Sequence, residues 1–228
     1  MKPLEFLKHT RERILKETIS FIQIGANDGV TNDYANNIIK ENDFGYFFEP
    51  IKKPFDLLID NKRNYVNSKF FNKAILPESL VDYKTMNILS YDDLNQGSSF
   101  GNTVEERIIE RVDVDTITVK DFIDENEISE IDYIFCDAEG IDHLIINDFL
   151  KYLNPKVLFF ETCSWRCQDG KDGQLVTTTG ENLTIPSNDK QKKMLEDLGY
   201  FVIDYCKVNE SYSEDMVAVK KELLYENN

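Results

Sequence analysis

Apolar residues recur along this chain at two spacings. Leu4, Leu7, Ile14 and Leu15 stand at near-helical intervals among charges, predicting an amphipathic helix over residues 3–17. Ile19 to Ile24 is a short β-branched and aromatic run stopped by Gly25, the pattern of a buried strand. A turn, Gly25-Ala26-Asn27-Asp28-Gly29, follows, and Asn32 to Glu41 is expected to be helical with Ile38 and Ile39 inward. Phe44 to Phe48 reads as a second strand, Pro54 to Asn61 as a helix and Lys69 to Leu76 as a third strand. Tyr83–Ser90 and Arg111–Val119 are extended candidates flanking a polar loop, and Asp121–Glu127 is a short helix. Beyond them the pattern gives a strand at Tyr133–Cys136, a helix at Ile141–Leu153 and a strand at Val157–Phe160. Thr162 to Ser187 lacks periodicity and is expected to be one long loop. A last helix at Lys190–Leu198 and strands at Tyr200–Tyr205 and Met216–Val219 complete the reading.

Strands alternating with helices argue for an α/β fold, a mostly parallel sheet covered on both faces. The 228 residues carry no repeat and no dividing linker, so one domain is expected. Within it, residues 1–18 form an N-terminal helix, 19–162 a core, 163–187 a variable loop, and 188–228 a closing helix and strand pair. Hydrophobic residues make up 41% of the chain, enough for a substantial core. No apolar run approaches the ~20 residues of a transmembrane helix, and the first twenty residues lack a signal-peptide stretch, which predicts a cytoplasmic protein. A net charge of −16 argues against nucleic acid and anionic membranes as partners, since phosphate binding needs clustered Lys and Arg. Cys136 and Cys206 lie in apolar runs and are expected to be buried thiols; Cys163 and Cys167 lack a second ligand pair for structural zinc.

Open α/β sheets bind ligands beyond the carboxyl ends of their strands, near the point where strand order reverses. Those ends carry Gly25 to Gly29, Glu49-Pro50, Asp137-Ala138-Glu139-Gly140 and Glu161. Glycines let the backbone turn sharply and approach a ligand, and a carboxylate at Glu49 is placed to accept both hydrogen bonds of a ribose diol. Either element alone fits a tight turn or a solvated Glu; together, at this spacing, they point to a nucleoside-containing cofactor. The turn lacks the Gly-x-Gly-x-x-Gly of a pyrophosphate cradle and places Asp28 where a pyrophosphate would be repelled. It suits a cofactor with an ammonium and a sulfonium and no phosphate, S-adenosylmethionine.

The same segments resemble the FkbM-type methyltransferases, a branch of the class I S-adenosylmethionine-dependent enzymes. Ile24 to Gly29 looks like the family's glycine turn, Phe48-Glu49-Pro50 like its ribose-binding segment and Gly97-Ser98-Ser99-Phe100 like its Ser-Ser loop. Val112 to Ile117 and Asp132 to Gly140 resemble its extended segment and Asp-x-Glu-Gly signature. The resemblance implies a Rossmann-like seven-stranded sheet with the last strand pair antiparallel. It also implies methyl transfer to a hydroxyl of a sugar, glycoconjugate or small natural product. The family usually has Asp two positions before the first glycine, where this chain has Gln23, giving up one charge toward a cationic cofactor.

Asp137 and Glu161 end neighbouring strands. Asp137 is a candidate general base with Glu161 orienting the acceptor. Alternatively the pair holds Mg²⁺ or Ca²⁺, although hard cations need more oxygen ligands than the sequence names, so no metal is expected. A third version leaves Asp137 as a helix cap only. His143 follows on the next helix and has the pKa range of a base. Ser98 and Ser99 would cover the cofactor if the resemblance holds, and Asn72 and Ala74 stand where such folds touch the adenine. Trp165 and Arg166 suit stacking on a sugar ring. A nicotinamide-dependent oxidoreductase and a catalytically silent binding module are the rival functions, and oligomeric state is not legible.

Overall fold

The computed structural model describes residues 3–14, 17–31, 33–89, 108–162, 171–178, 180–205 and 215–225. Seven strands make one sheet: β1 (Ser20–Ile24), β2 (Phe44–Phe48), β3 (Ser68–Phe71), β8 (Tyr133–Cys136), β9 (Val157–Glu161), β12 (Tyr200–Asp204) and β13 (Asp215–Lys220). Their order is β3-β2-β1-β8-β9-β13-β12. β3, β2, β1, β8 and β9 run parallel, while β13 is antiparallel to both β9 and β12. This is a Rossmann-like seven-stranded sheet with its last strand pair antiparallel, the arrangement the resemblance implies. The chain leaves β1 toward β2 and β3, then returns to the other side of β1 as β8. Strand order therefore reverses between β1 and β8, which opens a crevice at their carboxyl ends.

Side chains alternate across this sheet, and both faces are covered. Ile22, Ile24, Ile134 and Cys136 enter one buried cluster with Phe122 and Ile145; Phe21, Tyr133 and Phe135 enter another with Leu7 and Leu58. The first cluster packs under α3 (Val119–Glu125) and α4 (Asp142–Tyr152), the second under α1 (Pro3–Arg13) and α2 (Lys52–Asn61). Burial on both faces is why these strands read as continuous apolar runs. Carboxylates pin the opposite end of β1: Asp43 accepts from Ile19 N and Arg11 Nη2, each at 2.9 Å, and Asp132 accepts from Ser20 N at 2.9 Å.

Four segments differ from the sequence reading. The helix expected over Asn32–Glu41 is only a single 3-10 turn, Ala35–Asn37. Asp28 Oδ1 takes the N–H groups of Val30 and Thr31 at 2.9 and 2.7 Å, and Asp33 Oδ1 takes that of Ala35 at 2.8 Å. Short acidic side chains here capture the backbone donors that would otherwise serve a helix. The strand expected over Lys69–Leu76 breaks at Asn72-Lys73. Only β3 joins the main sheet, while β4 (Ala74–Leu76) pairs in parallel with β7 (Thr116–Thr118). The segment Arg111–Val119 divides in the same way, β6 (Ile108–Asp113) pairing with β5 (Thr85–Leu89) as a separate antiparallel ribbon. Finally, the expected loop Thr162–Ser187 contains a hairpin, β10 (Gly173–Val176) with β11 (Asn182–Ile185). Leu175 and Ile185 anchor it, both fully buried in the first core cluster. α5 (Asn188–Asp197) follows as expected.

Candidate functional site

A cavity of about 320 Å³ lies at the reversal point, within the size range of small-molecule sites. Gly25, Ala26 and Asn27 form its floor, Glu49 and Pro50 one side, and Asp137, Ala138 and Glu139 the other. Ile51, Ala74, Ile75 and Met86 supply an apolar wall, and Gln23, Asp33, Tyr34 and Phe159 line the remainder.

The floor depends on the absence of side chains. Gly25 has φ +72°, and a Cβ there would stand 1.9 Å from the Asp137 carbonyl oxygen. Strands β1 and β8 thus end in contact, with Asp137 N donating to Ile24 O at 3.0 Å. Asn27 also adopts positive φ, +48°, and its N–H donates to Glu49 Oε2 at 2.9 Å. The other oxygen, Oε1, accepts from Ile51 N at 2.8 Å. Both Glu49 oxygens are thereby oriented by the backbone, each retaining acceptor capacity. Glu49 is buried, and burial pushes its pKa up to about 7 against the pull of the Ile51 and Asn27 N–H groups.

The loop after β8 is held in a strained shape. Glu139 has φ +52° and Gly140 φ +113°. Asp142, fully buried at the start of α4, accepts from Ala138 N at 2.8 Å and Gly140 N at 3.1 Å. Its spacing of five residues from Asp137 was the available sequence signal for this role, and the sequence reading missed it. Asp142→Ala is expected to lower stability by about 1.5–3 kcal/mol, the range for hydrogen bonds to a charged group, measured by urea unfolding. A variant as stable as the parent would show that the loop holds its shape without this carboxylate. Asp137 is exposed where it lines the cavity. Desolvation by the protein around it, then the charges of Glu139, Asp142, Asp215 and Glu49, holds its pKa well above the ordinary carboxylate value.

Not all the residues singled out in the sequence reach the cavity. Glu49, Asp137, Gly25, Ala26, Asn27, Pro50 and Ala74 line it. Asp28 is turned inward on its own loop, bonding Val30 and Thr31, so it adds no charge to the lining. Gly29 lies behind the turn, where a Cβ would meet Leu58 Cδ1 at 2.7 Å and Lys62 Cε at 2.9 Å. Asn72, expected beside a base, instead donates to the carbonyls of Glu49 and Pro50, both at 2.9 Å, and braces the loop from outside. His143 is buried against the hairpin; its ring bonds the Thr184 backbone and burial drives its pKa down to about 4. It is therefore a packing residue away from the cavity lining. Glu161 ends β9 opposite Asp215 and is likewise not part of the lining. Cys136 is a buried free thiol, as expected. Ser98, Ser99, Cys163, Trp165, Arg166, Cys167 and Cys206 lie outside the described residues. Among the described residues no group of three His, Cys, Asp or Glu side chains is placed to hold a metal ion, and no helix is long and apolar enough to cross a membrane.

The sequence from residue 23 to residue 202 matches the family model of the methyltransferase FkbM domain. The chain belongs to this family and is an S-adenosylmethionine-dependent methyltransferase. No curated protein matches the sequence. Among solved structures it is similar to a precorrin-6y C5,15-methyltransferase from Geobacter metallireducens, at 16% identity and TM-score 0.42, covering 96% of this chain and 91% of that one. An O-methyltransferase from Bacillus cereus in complex with SAH is similar at 13% identity and TM-score 0.45, over 96% and 82% of the two chains. A Burkholderia thailandensis 1,6-didemethyltoxoflavin-N1-methyltransferase with bound S-adenosylhomocysteine aligns at 8% identity and TM-score 0.45, over 95% and 77%.

Proposed function

We propose that this chain transfers the methyl group of S-adenosylmethionine to a hydroxyl oxygen of a sugar, glycoconjugate or small natural product. The observation that carries the reading is Glu49. Its two oxygens, fixed by Asn27 N and Ile51 N, present their remaining lone pairs at the end of β2, where a ribose diol would donate two hydrogen bonds. The cavity fits the cofactor in charge as well, since among the described residues Asp33, Glu49, Asp137 and Glu139 line it against one cation, Lys73. A sulfonium and an ammonium are favoured in such surroundings.

In this reading Gly25, Ala26 and Asn27 let the backbone pass beneath the nucleoside. Ile51, Ala74 and Ile75 receive the flat base, and Pro50 shapes the rim. Ser98 and Ser99 retain the covering role that the family resemblance implies. The cofactor supplies a methyl group already activated by sulfonium charge, so the protein's task is alignment, proton removal and exclusion of water. Asp137 takes the hydroxyl proton. Its raised pKa makes it a stronger base than an ordinary carboxylate once ionised.

Calorimetric titration with S-adenosylhomocysteine and with NAD tests the reading. S-adenosylhomocysteine should bind and NAD should not; NAD binding alone would instead indicate an oxidoreductase. Glu49→Gln replaces one acceptor oxygen with a donor, and should weaken S-adenosylhomocysteine by about 1.5–3 kcal/mol. The parent protein's affinity should also fall as pH drops through about 7. Diol donors favour the ionised carboxylate, so each pH unit below that pKa costs binding up to about tenfold. Glu49→Gln should flatten this slope. An unchanged slope would place the ribose elsewhere.

A further inference from the structure

Gln23 sits at the end of β1 where the family usually carries Asp, yet the cavity still holds a carboxylate next to it. Asp33 lies ten positions on, beyond the glycine turn, and both residues line the cavity. Asp33 Oδ1 accepts from Ala35 N at 2.8 Å, while Oδ2 is buried and has no hydrogen-bond partner among the described residues. Gln23 Oε1 is buried and unpartnered in the same way. Two buried acceptor oxygens without donors, on residues that line one cavity, ask for a ligand that brings several N–H groups. The amine of Lys62 is near enough to act on Asp33 through its charge, but its Nζ donates to Asn36 Oδ1 at 2.6 Å and makes no hydrogen bond to either orphan oxygen.

We propose that Asp33, with Gln23 Oε1 as a second acceptor, binds the α-ammonium of the cofactor's methionine portion, restoring the charge that position 23 lacks. The proposal rests on the cofactor site described above and adds its amino-acid end. An ammonium offers three donors, whereas the sulfonium offers none, so the orphan oxygens select the amine and not the sulfur. Burial raises the Asp33 pKa above the ordinary carboxylate value, against the smaller opposing pull of the Gln23 side chain, Lys62, and the Asn36 and Ala35 N–H groups, so the free carboxylate is short of positive charge. A ligand cation completes the balance.

The test compares S-adenosylhomocysteine with 5′-methylthioadenosine, which keeps base, ribose and sulfur but lacks the amino acid. By calorimetry, Asp33→Asn should weaken S-adenosylhomocysteine about 10–100-fold, the range for losing a charged hydrogen bond, and leave 5′-methylthioadenosine within about twofold. Glu49→Gln should weaken both compounds together. Adding Gln23→Asp to the Asp33→Asn variant should recover affinity for S-adenosylhomocysteine alone. Equal weakening of the two compounds by Asp33→Asn, or no weakening of either, would overturn the proposal. Failure of the parent protein to bind either compound would instead overturn the cofactor site itself. Were Asp33→Asn unable to fold, the parent protein decides: S-adenosylhomocysteine must outbind its des-amino analogue at least tenfold, and parity would end the proposal.

Discussion

Gly25→Ala is expected to abolish binding of S-adenosylhomocysteine and to destabilise the protein by about 2–5 kcal/mol. Two penalties act at this one position. A Cβ in the left-handed region costs roughly 1–2 kcal/mol. It would also stand 1.9 Å from the Asp137 carbonyl oxygen, which is backbone and has no rotamer to yield, so β8 and its loop must move. Overpacking of this kind costs typically 1–3 kcal/mol more. The displacement falls on the floor of the cavity and on the segment that carries Asp137, so binding and stability should be lost together. Urea unfolding and calorimetry on the same preparation check both. Retained affinity in a folded Gly25→Ala protein would mean that the cofactor does not lie over this turn.

Asp137→Asn should separate chemistry from binding. The backbone of residue 137 is anchored by its own N–H to Ile24 O, so the amide variant keeps the loop in place. Affinity for S-adenosylhomocysteine should stay within a few-fold. The turnover number should fall about 10²–10⁴-fold, the usual contribution of a positioned general base. In the parent protein, turnover should rise with pH through the elevated pKa of Asp137, because only the ionised carboxylate accepts a proton. Asp137→Asn should remove that limb of the profile. An Asn variant of undiminished turnover would pass the base role to another group.

Much of this was legible in the chain. The glycine turn, the carboxylate ending β2 and the acidic signature after β8 all reach the cavity, because residues at strand ends have little choice of direction once the sheet forms. What the sequence misled on is equally specific. Asp28 and Asn72 are polar residues beside the site, but each finds backbone partners nearby and turns away from it. His143 has the chemistry of a base and the position of a core residue, which one-dimensional spacing does not distinguish. Asp33 and Asp142 were passed over because their importance lies in what they face. One has an oxygen without a donor, and the other holds a loop of positive-φ residues. The helix expected after the turn failed because local Asp side chains outcompete the helical hydrogen bonds over so short a stretch.

The sequence by itself determined the sheet, the order of chemistry along it and the cofactor class, since periodicity and strand-end residues are local properties that survive into the fold. The acidic balance of −16 was a bulk property until tertiary structure sorted it. Asp28 and Glu161 were left off the cavity lining, while Asp33, Glu49, Asp137 and Glu139 line it. Which carboxylates face a ligand depends on contacts between residues far apart in the chain, such as Gly25 with Asp137 or Asn27 with Glu49. Only the folded molecule brings those together.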